Sequence, residues 1–425
     1  MSNLAIINGR VIDPSQRLDA VKTILIRDGK IEKIISDQKI PTGYEKINAK
    51  GLVVTSGFID LHTHLRDPGY EHREDLATGS RAAVAGGFTT IACMANTKPV
   101  NDNVNITKYI LQKAAEVDLA RILPIGAVTV GLEGKTLAPM GSLLKAGCVA
   151  FSDDGMPVVS AQIMRQALEY AKTFEALIIT HAEEKSLSDG GALHEGEVAC
   201  RLGLKGTPPT AEEIMIYRDI ALAEWVDTRL HVAHVSTAAG IDLIAQAKKR
   251  KAAITCEVTP HHLFLTDAAC DHYQTNAKVN PPLRTLRDNR ALIAAIQDGV
   301  VDAIATDHAP HGVDEKQCCF DHANFGLLGM ETALPLLLQL VEDRQVSLSK
   351  LIALLTIGPA SVLNLPFGTL KVGRSADITL FDPKASVTLD ADKFASKSRN
   401  TPFQGWKLTG KVQMTMVGGK LKYFL

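Results

Sequence analysis

Two histidines spaced two apart, His62 and His64, close an apolar run, Phe58-Ile59-Asp60-Leu61, that ends at a Pro68-Gly69 breaker. On an extended strand such residues share a face, so both imidazoles can aim at one point, which suits a divalent transition metal. An isolated H-x-H is more often a pair of satisfied polar side chains, so further ligands must appear at other strand ends. They do: run 148–152 stops at Asp153-Asp154-Gly155, run 176–180 at His181, run 229–233 at His234 and run 301–306 at Asp307. Leaving such groups buried and unpaired costs of order 1–3 kcal/mol each. One open catalytic zinc takes about three protein ligands, so six groups imply two ions sharing a carboxylate. We assign His62, His64 and Asp307 to one ion, His181 and His234 to the other, and Asp154 to the bridge; spacing alone leaves Asp153 open for that role.

The elements that would position these groups repeat. Apolar runs at 57–61, 88–94, 121–128, 148–152, 176–180, 229–235, 252–258 and 301–306 alternate with helical patterns such as 163–174, 211–225, 241–250 and 332–341. Eight such units over roughly 250 residues predict an α/β fold, a (β/α)8 TIM barrel with its chemistry at the C-terminal strand ends. The termini differ. Residues 3–12 and 22–35, the latter turning at Asp28-Gly29, are strand-rich, and so are 376–381 and 412–421. Either set alone would expose its apolar face, so a small β-sandwich built from both termini is expected, 1–55 plus 366–425, around a catalytic barrel at 56–365.

Composition narrows the function. The chain has 425 residues, 46% of them apolar, and a formal charge of −1, which offers no general field for nucleic acid or an anionic membrane. No leader pattern and no spanning apolar stretch is visible, and the seven cysteines include no C-x-x-C pair, which predicts a cytoplasmic protein with reduced thiols acting on a small molecule. The basic run Lys248-Lys249-Arg250-Lys251 closes a helical pattern and reads as a solvated helix end.

Taken in order, 57–69, Phe151-Ser152-Asp153-Asp154-Gly155, Thr180-His181-Ala182-Glu183, His234-Val235-Ser236-Thr237, Thr259-Pro260-His261-His262, Asn280-Pro281-Pro282-Leu283-Arg284 and Thr306-Asp307-His308-Ala309-Pro310-His311 resemble the class I bacterial dihydroorotases of the amidohydrolase superfamily. The resemblance spans nearly the whole chain. It implies a metal-dependent barrel that interconverts N-carbamoyl-L-aspartate and L-dihydroorotate in pyrimidine (UMP) biosynthesis, with two Zn2+ ions bridged by Asp154 and a hydroxide. Many relatives bridge with a carboxylated lysine; here the bridging position is Asp, as in the bacterial subgroup. Met94-Ala95-Asn96-Thr97 departs from the family, which usually has Pro before the Asn.

A water between two dications loses a proton near neutral pH, and Asp307 can carry that proton to the leaving ring nitrogen. Arg66, two residues past His64, can reach the same mouth and pair bidentately with a carboxylate. The resemblance adds Asn96, Asn280, His311 and the Phe325-Gly326 backbone as substrate contacts. The polar stretch 312–324 lacks apolar periodicity, which suggests a mobile lid. His261 and His262 end the seventh run, where relatives place no ligand, and His72, His194, His231, His272 and His322 lack a partner pattern; structural roles are expected for all of them. Alternatives are a hydantoinase or allantoinase, whose substrates lack the carboxylate for Arg66, and a non-catalytic scaffold, since family members can associate with aspartate transcarbamoylase. The resemblance also suggests a homodimer.

Overall fold

The computed structural model describes residues 3–36 and 40–425. Eight parallel strands, Phe58–Thr63, Phe88–Cys93, Arg121–Gly126, Ala150–Phe151, Ile178–Thr180, Leu230–Val232, Ile254–Val258 and Ala303–Ile304, lie side by side in chain order. Each is followed by an outer helix: Leu76–Ala85, Val104–Val117, Met140–Ala146, Ala161–Lys172, Thr210–Val226, Ala238–Lys249, Leu286–Asp298 and Met330–Glu342. The helix at 161–172 shows why. Ser160 caps its N-terminus by accepting from Ile163 N, and Met164, Ala167, Leu168 and Ala171 place one apolar stripe against the strands.

The ring closes between the first and eighth strands. His64 N donates to His308 O at 2.9 Å, and the buried Asp60 carboxylate accepts from Thr306 N (3.0 Å) and Thr306 Oγ1 (2.5 Å). Inside the ring, Ile59, Leu61, Ile125, Leu177 and Ile179 pack with small Ala92, Ala150, Ala303 and Ala305. The helix Ile357–Val362 seals that end with Ala360 and Val362. Beyond this apolar plug, the polar strand ends carry the candidate metal-binding groups.

Both termini join one eight-stranded sheet through direct pairing of Val53–Ser56 with Ile378–Thr388. Ile6, Ile24, Ile26 and Val54 share a core there with Ile378, Leu380, Met414 and Met416, as the β-rich termini require. Arg27 and Lys30 pair across the Asp28-Gly29 turn, whereas Asn8-Gly9 is a register shift within Asn3–Asp13. The chain past Thr388 returns to the barrel mouth, where Asn400 donates to Ala309 O (3.0 Å) and Gly326 O (3.1 Å). No described helix is long and apolar enough to cross a membrane.

Candidate metal centre and active site

Six side chains from five strand ends meet at the mouth. Asp154 stands between two groups of histidines: Oδ2 lies 3.4 Å from His64 Nε2, while Oδ1 lies 3.2 Å from His234 Nε2, 3.3 Å from His62 Nε2 and 3.5 Å from His181 Nδ1. Asp307 Oδ1 lies 3.1 Å from His64 Nε2 and 3.5 Å from His62 Nε2. The sets His62–His64–Asp154 and Asp154–His181–His234 each have the spacing of a metal site. Asp153 turns away: Oδ1 accepts from Val128 N (2.8 Å) and Thr129 N (3.0 Å), and Oδ2 from Thr129 Oγ1. That choice was open in the sequence, and these three bonds to Asp153 leave Asp154 as the carboxylate that faces the histidines.

The backbone is forced at these ends. His234 (φ +33°), Asp307 (φ +48°) and Arg66 (φ +61°) all adopt left-handed conformations that cost non-glycine residues about 1–3 kcal/mol each and that concentrate at functional sites. The turn after His234 is held from behind. The buried Glu212 accepts from Ser236 N (2.9 Å) and Thr237 N (3.1 Å), and Thr237 caps the next helix through Gly240 N.

Whether these residues fit a metal can be judged from their outer nitrogens. His62 Nδ1 donates to Glu257 Oε1 (3.0 Å), His64 Nδ1 to Asn96 Oδ1 (3.0 Å) and His181 Nε2 to Glu183 Oε2 (3.1 Å). Each such bond fixes the tautomer that leaves the inner nitrogen with a lone pair, facing carboxylates. The inner His62 Nε2 is buried and has no hydrogen-bond partner. Lone pairs facing carboxylates repel unless cations lie between them, so the donor set fits divalent metal.

The electrostatics agree. Burial works against charge on Asp154, yet His62, His181 and His234 hold its carboxyl well below the usual range. Burial likewise opposes protonation of His181, but Asp154 and Glu183 raise it to about 9. For His62 the carboxylates of Asp154 and Asp307 overcome burial, and its value rises well above the ordinary one. A cluster this hungry for positive charge takes up protons or metal ions.

Above these side chains lies a cavity of about 250 Å³. Every substrate contact expected from the sequence lines it: Arg66, Asn96, Asn280, His311, Phe325 and Gly326, together with Asp307. Arg66 is buried, with Nε donating to Pro310 O (3.2 Å) and a terminal nitrogen 3.3 Å from His311 Nε2. Burial lowers it to about 10, so it stays cationic at neutral pH. His311 Nε2 donates to Phe325 O (2.8 Å), and burial followed by Arg66 keeps the ring neutral. Asn280 Nδ2 donates to Glu183 Oε2 (3.1 Å). At Gly326, φ is +133° and a Cβ would lie 2.6 Å from Ala309 Cβ, so only glycine fits this wall.

Several residues escaped the sequence reading. Glu257 is a lone carboxylate within an apolar strand, and its second oxygen lies 3.2 Å from His231 Nε2; the strand's alternation was the available signal, and it draws His231 into the support of His62. Glu183 stands in the Thr180–Glu183 motif. Asn400 accepts from His311 N (3.1 Å), and Arg73, also on the cavity, pairs with Glu315 (2.7 Å); their sequence distances of 89 and 242 residues gave no hint. The stretch 312–324, expected as a polar lid, contains a helical turn, Val313–Lys316, and buries Lys316 and Phe320.

Two family models match the chain, one described as dihydro-orotase-like over residues 51–239 and one as amidohydrolase family over 192–423. Curated dihydroorotases from Geobacter metallireducens and Geotalea daltonii are 51% and 50% identical to it, with 99% of each chain covered. Among solved structures, an L-hydantoinase (dihydropyrimidinase) from Arthrobacter aurescens superposes with a TM-score of 0.89 at 27% identity, covering 99% of this chain and 96% of that one. A dihydropyrimidinase from Brevibacillus agri, TM-score 0.84 at 24% identity, covering 100% of this chain and 96% of that one, shares the fold.

Proposed function

The chain belongs to the dihydroorotase family of the amidohydrolases, a family of cyclic amidohydrolases, and from that premise we propose a two-metal site that opens and closes the ring of L-dihydroorotate. His62, His64 and Asp307 would hold one ion, His181 and His234 the other, and Asp154 would span them, with Zn2+ the metal these N and O donors suit. The observation that supports this reading is the position of Asp154 amid all four histidines, Oδ2 toward His64 and Oδ1 toward His62, His181 and His234, so that one carboxylate is common to both candidate metal groups. Bound metal supplies Lewis acidity, which acidifies water and polarises an amide carbonyl.

The chain's own residues do the rest. Arg66 binds the substrate's carboxylate bidentately, and a buried guanidinium loses little to competing water. Asn280, His311 and the Phe325-Gly326 backbone fix the ring amides, and Asn96 holds the His64 ring while lining the cavity. Hydrolysis adds a water oxygen to the ring carbonyl carbon, breaks the C–N bond and moves one proton to the departing nitrogen. Asp307 carries that proton, taking it from the water and giving it to nitrogen. Closure to dihydroorotate runs the same path backwards, with Asp307 accepting the ureido proton as a water leaves the β-carboxyl of N-carbamoyl-L-aspartate.

Turnover of L-dihydroorotate, followed by loss of its ultraviolet absorbance, beside hydantoin and allantoin tests the substrate. Preference for hydantoin would contradict the role of Arg66. Association with an aspartate transcarbamoylase and a homodimeric state rest on the family resemblance alone, and co-purification with size-exclusion chromatography tests both.

A further inference from the structure

Two lysines behind the cavity wall are buried without a carboxylate partner among the described residues. Lys278 and Lys316 are 2% and 4% exposed, a depth at which an ammonium is stable only when all its donors are met. Lys316 Nζ donates to Thr275 O (2.9 Å), Asn324 O (2.6 Å) and Lys278 O (3.3 Å). Lys278 Nζ donates to Phe320 O (2.8 Å) and Asp321 O (3.0 Å) and lies 4.5 Å from the Phe325 ring centroid. The Lys278 carbonyl also accepts from Gly326 N at 2.9 Å.

We propose that Lys316 and Lys278 are positioning residues that lock the 312–326 segment, with Phe325 and Gly326, onto the 275–280 segment that carries Asn280. An apolar side chain of equal length would fill the space without the desolvation cost. It could not bind the carbonyls as the ammoniums do: Lys316 ties Thr275 O and Lys278 O of one segment to Asn324 O of the other, and Lys278 reaches from its own segment to Phe320 O and Asp321 O. The same segment is fastened on its other side by Glu315 to Arg73 at 2.7 Å, so the wall against which substrate rests is built before substrate arrives.

The inference rests on the cavity being the substrate site, and the experiment separates the two. Lys316→Met and Lys278→Met are made in the full-length, metal-loaded protein, and amide hydrogen exchange is measured beside kinetics on L-dihydroorotate. Exchange across 312–326 should quicken by about tenfold or more while the barrel strands stay protected, KM should rise about tenfold with kcat within about threefold, and metal content should hold. Unchanged exchange overturns the lock, and so does exchange that quickens throughout the barrel as metal is lost. Quickened local exchange with an unmoved KM leaves the lock standing and sinks the reading of the cavity. If Lys316→Met fails to fold, Lys278→Met gives the same readings.

Discussion

Glu257 and His62 face each other inside the barrel, Oε1 to Nδ1 at 3.0 Å, and both are fully buried. Burial alone would raise the Glu257 carboxyl, but His231 and His62 hold it at about 2, so it is an anion that fixes the His62 tautomer and increases the basicity of the ring proposed to bind metal. Glu257→Gln keeps the shape and removes the charge. Metal affinity should drop about 10–100-fold, the usual cost of losing such a partner, as measured by competition with a chelator of known affinity. Equal affinity in variant and parent would remove Glu257 from the site.

Arg66→Met deletes the cation proposed to receive the substrate's carboxylate. A buried charge-assisted contact is worth about 2–5 kcal/mol, so KM for L-dihydroorotate should rise by about thirtyfold or more. Metal content should stay the same, because Arg66 reaches Pro310 O and His311 and no ligand. An unchanged KM sinks the assignment.

Gly326→Ala places a Cβ 2.6 Å from Ala309 Cβ in a left-handed backbone. The strain is of order 1–3 kcal/mol, and its relief must move the wall that includes Phe325 and His311. The expected result is a lower kcat/KM with the metal retained, together with a lower Tm. Parent-like kinetics would show that this backbone does not touch the substrate.

His262 and His194 predict how stability responds to acid. Burial lowers His262 to about 3, partly opposed by its bond to Pro281 O, and burial with the charge of Arg284 lowers His194 to about 4. Both stay neutral when folded but take a proton when unfolded below about 6.5. Between those values the unfolded chain binds more protons, so stability is whole above about pH 6.5 and falls as pH drops, by up to about 1.4 kcal/mol per unit for each group. Denaturant unfolding of the metal-free protein at pH 7.5 and pH 5 checks this, and His262→Asn should flatten the slope. A slope as steep in the variant would exclude His262.

How much of this was legible follows from distance along the chain. The barrel could be read because each strand and helix carries its own period, and Ser160 or Thr237 marks a helix start locally. The convergence of the six candidate groups could be read because a barrel puts strand ends in one place whatever their spacing in sequence. Asp154 could not be told from Asp153, since the decision lies in the Thr129 hydroxyl and two backbone N–H groups on the neighbouring strand's loop. Asn400 was invisible for a similar reason. It belongs by sequence to the β-rich terminus, yet its side chain is spent on His311, Ala309 and Gly326. Lys316 looked like part of a polar loop because nothing local says that its ammonium is met by distant carbonyls.

The most direct test of the two-metal reading is metal content per chain, set beside L-dihydroorotate turnover, before chelation, after it, and on titrating zinc back. Activity should vanish with the metal and return in step with uptake of two ions per chain, and Asp154→Asn should lose both ions together. Full turnover in metal-free protein, or a site that saturates at one ion and is unaffected by Asp154→Asn, would contradict the two-metal reading.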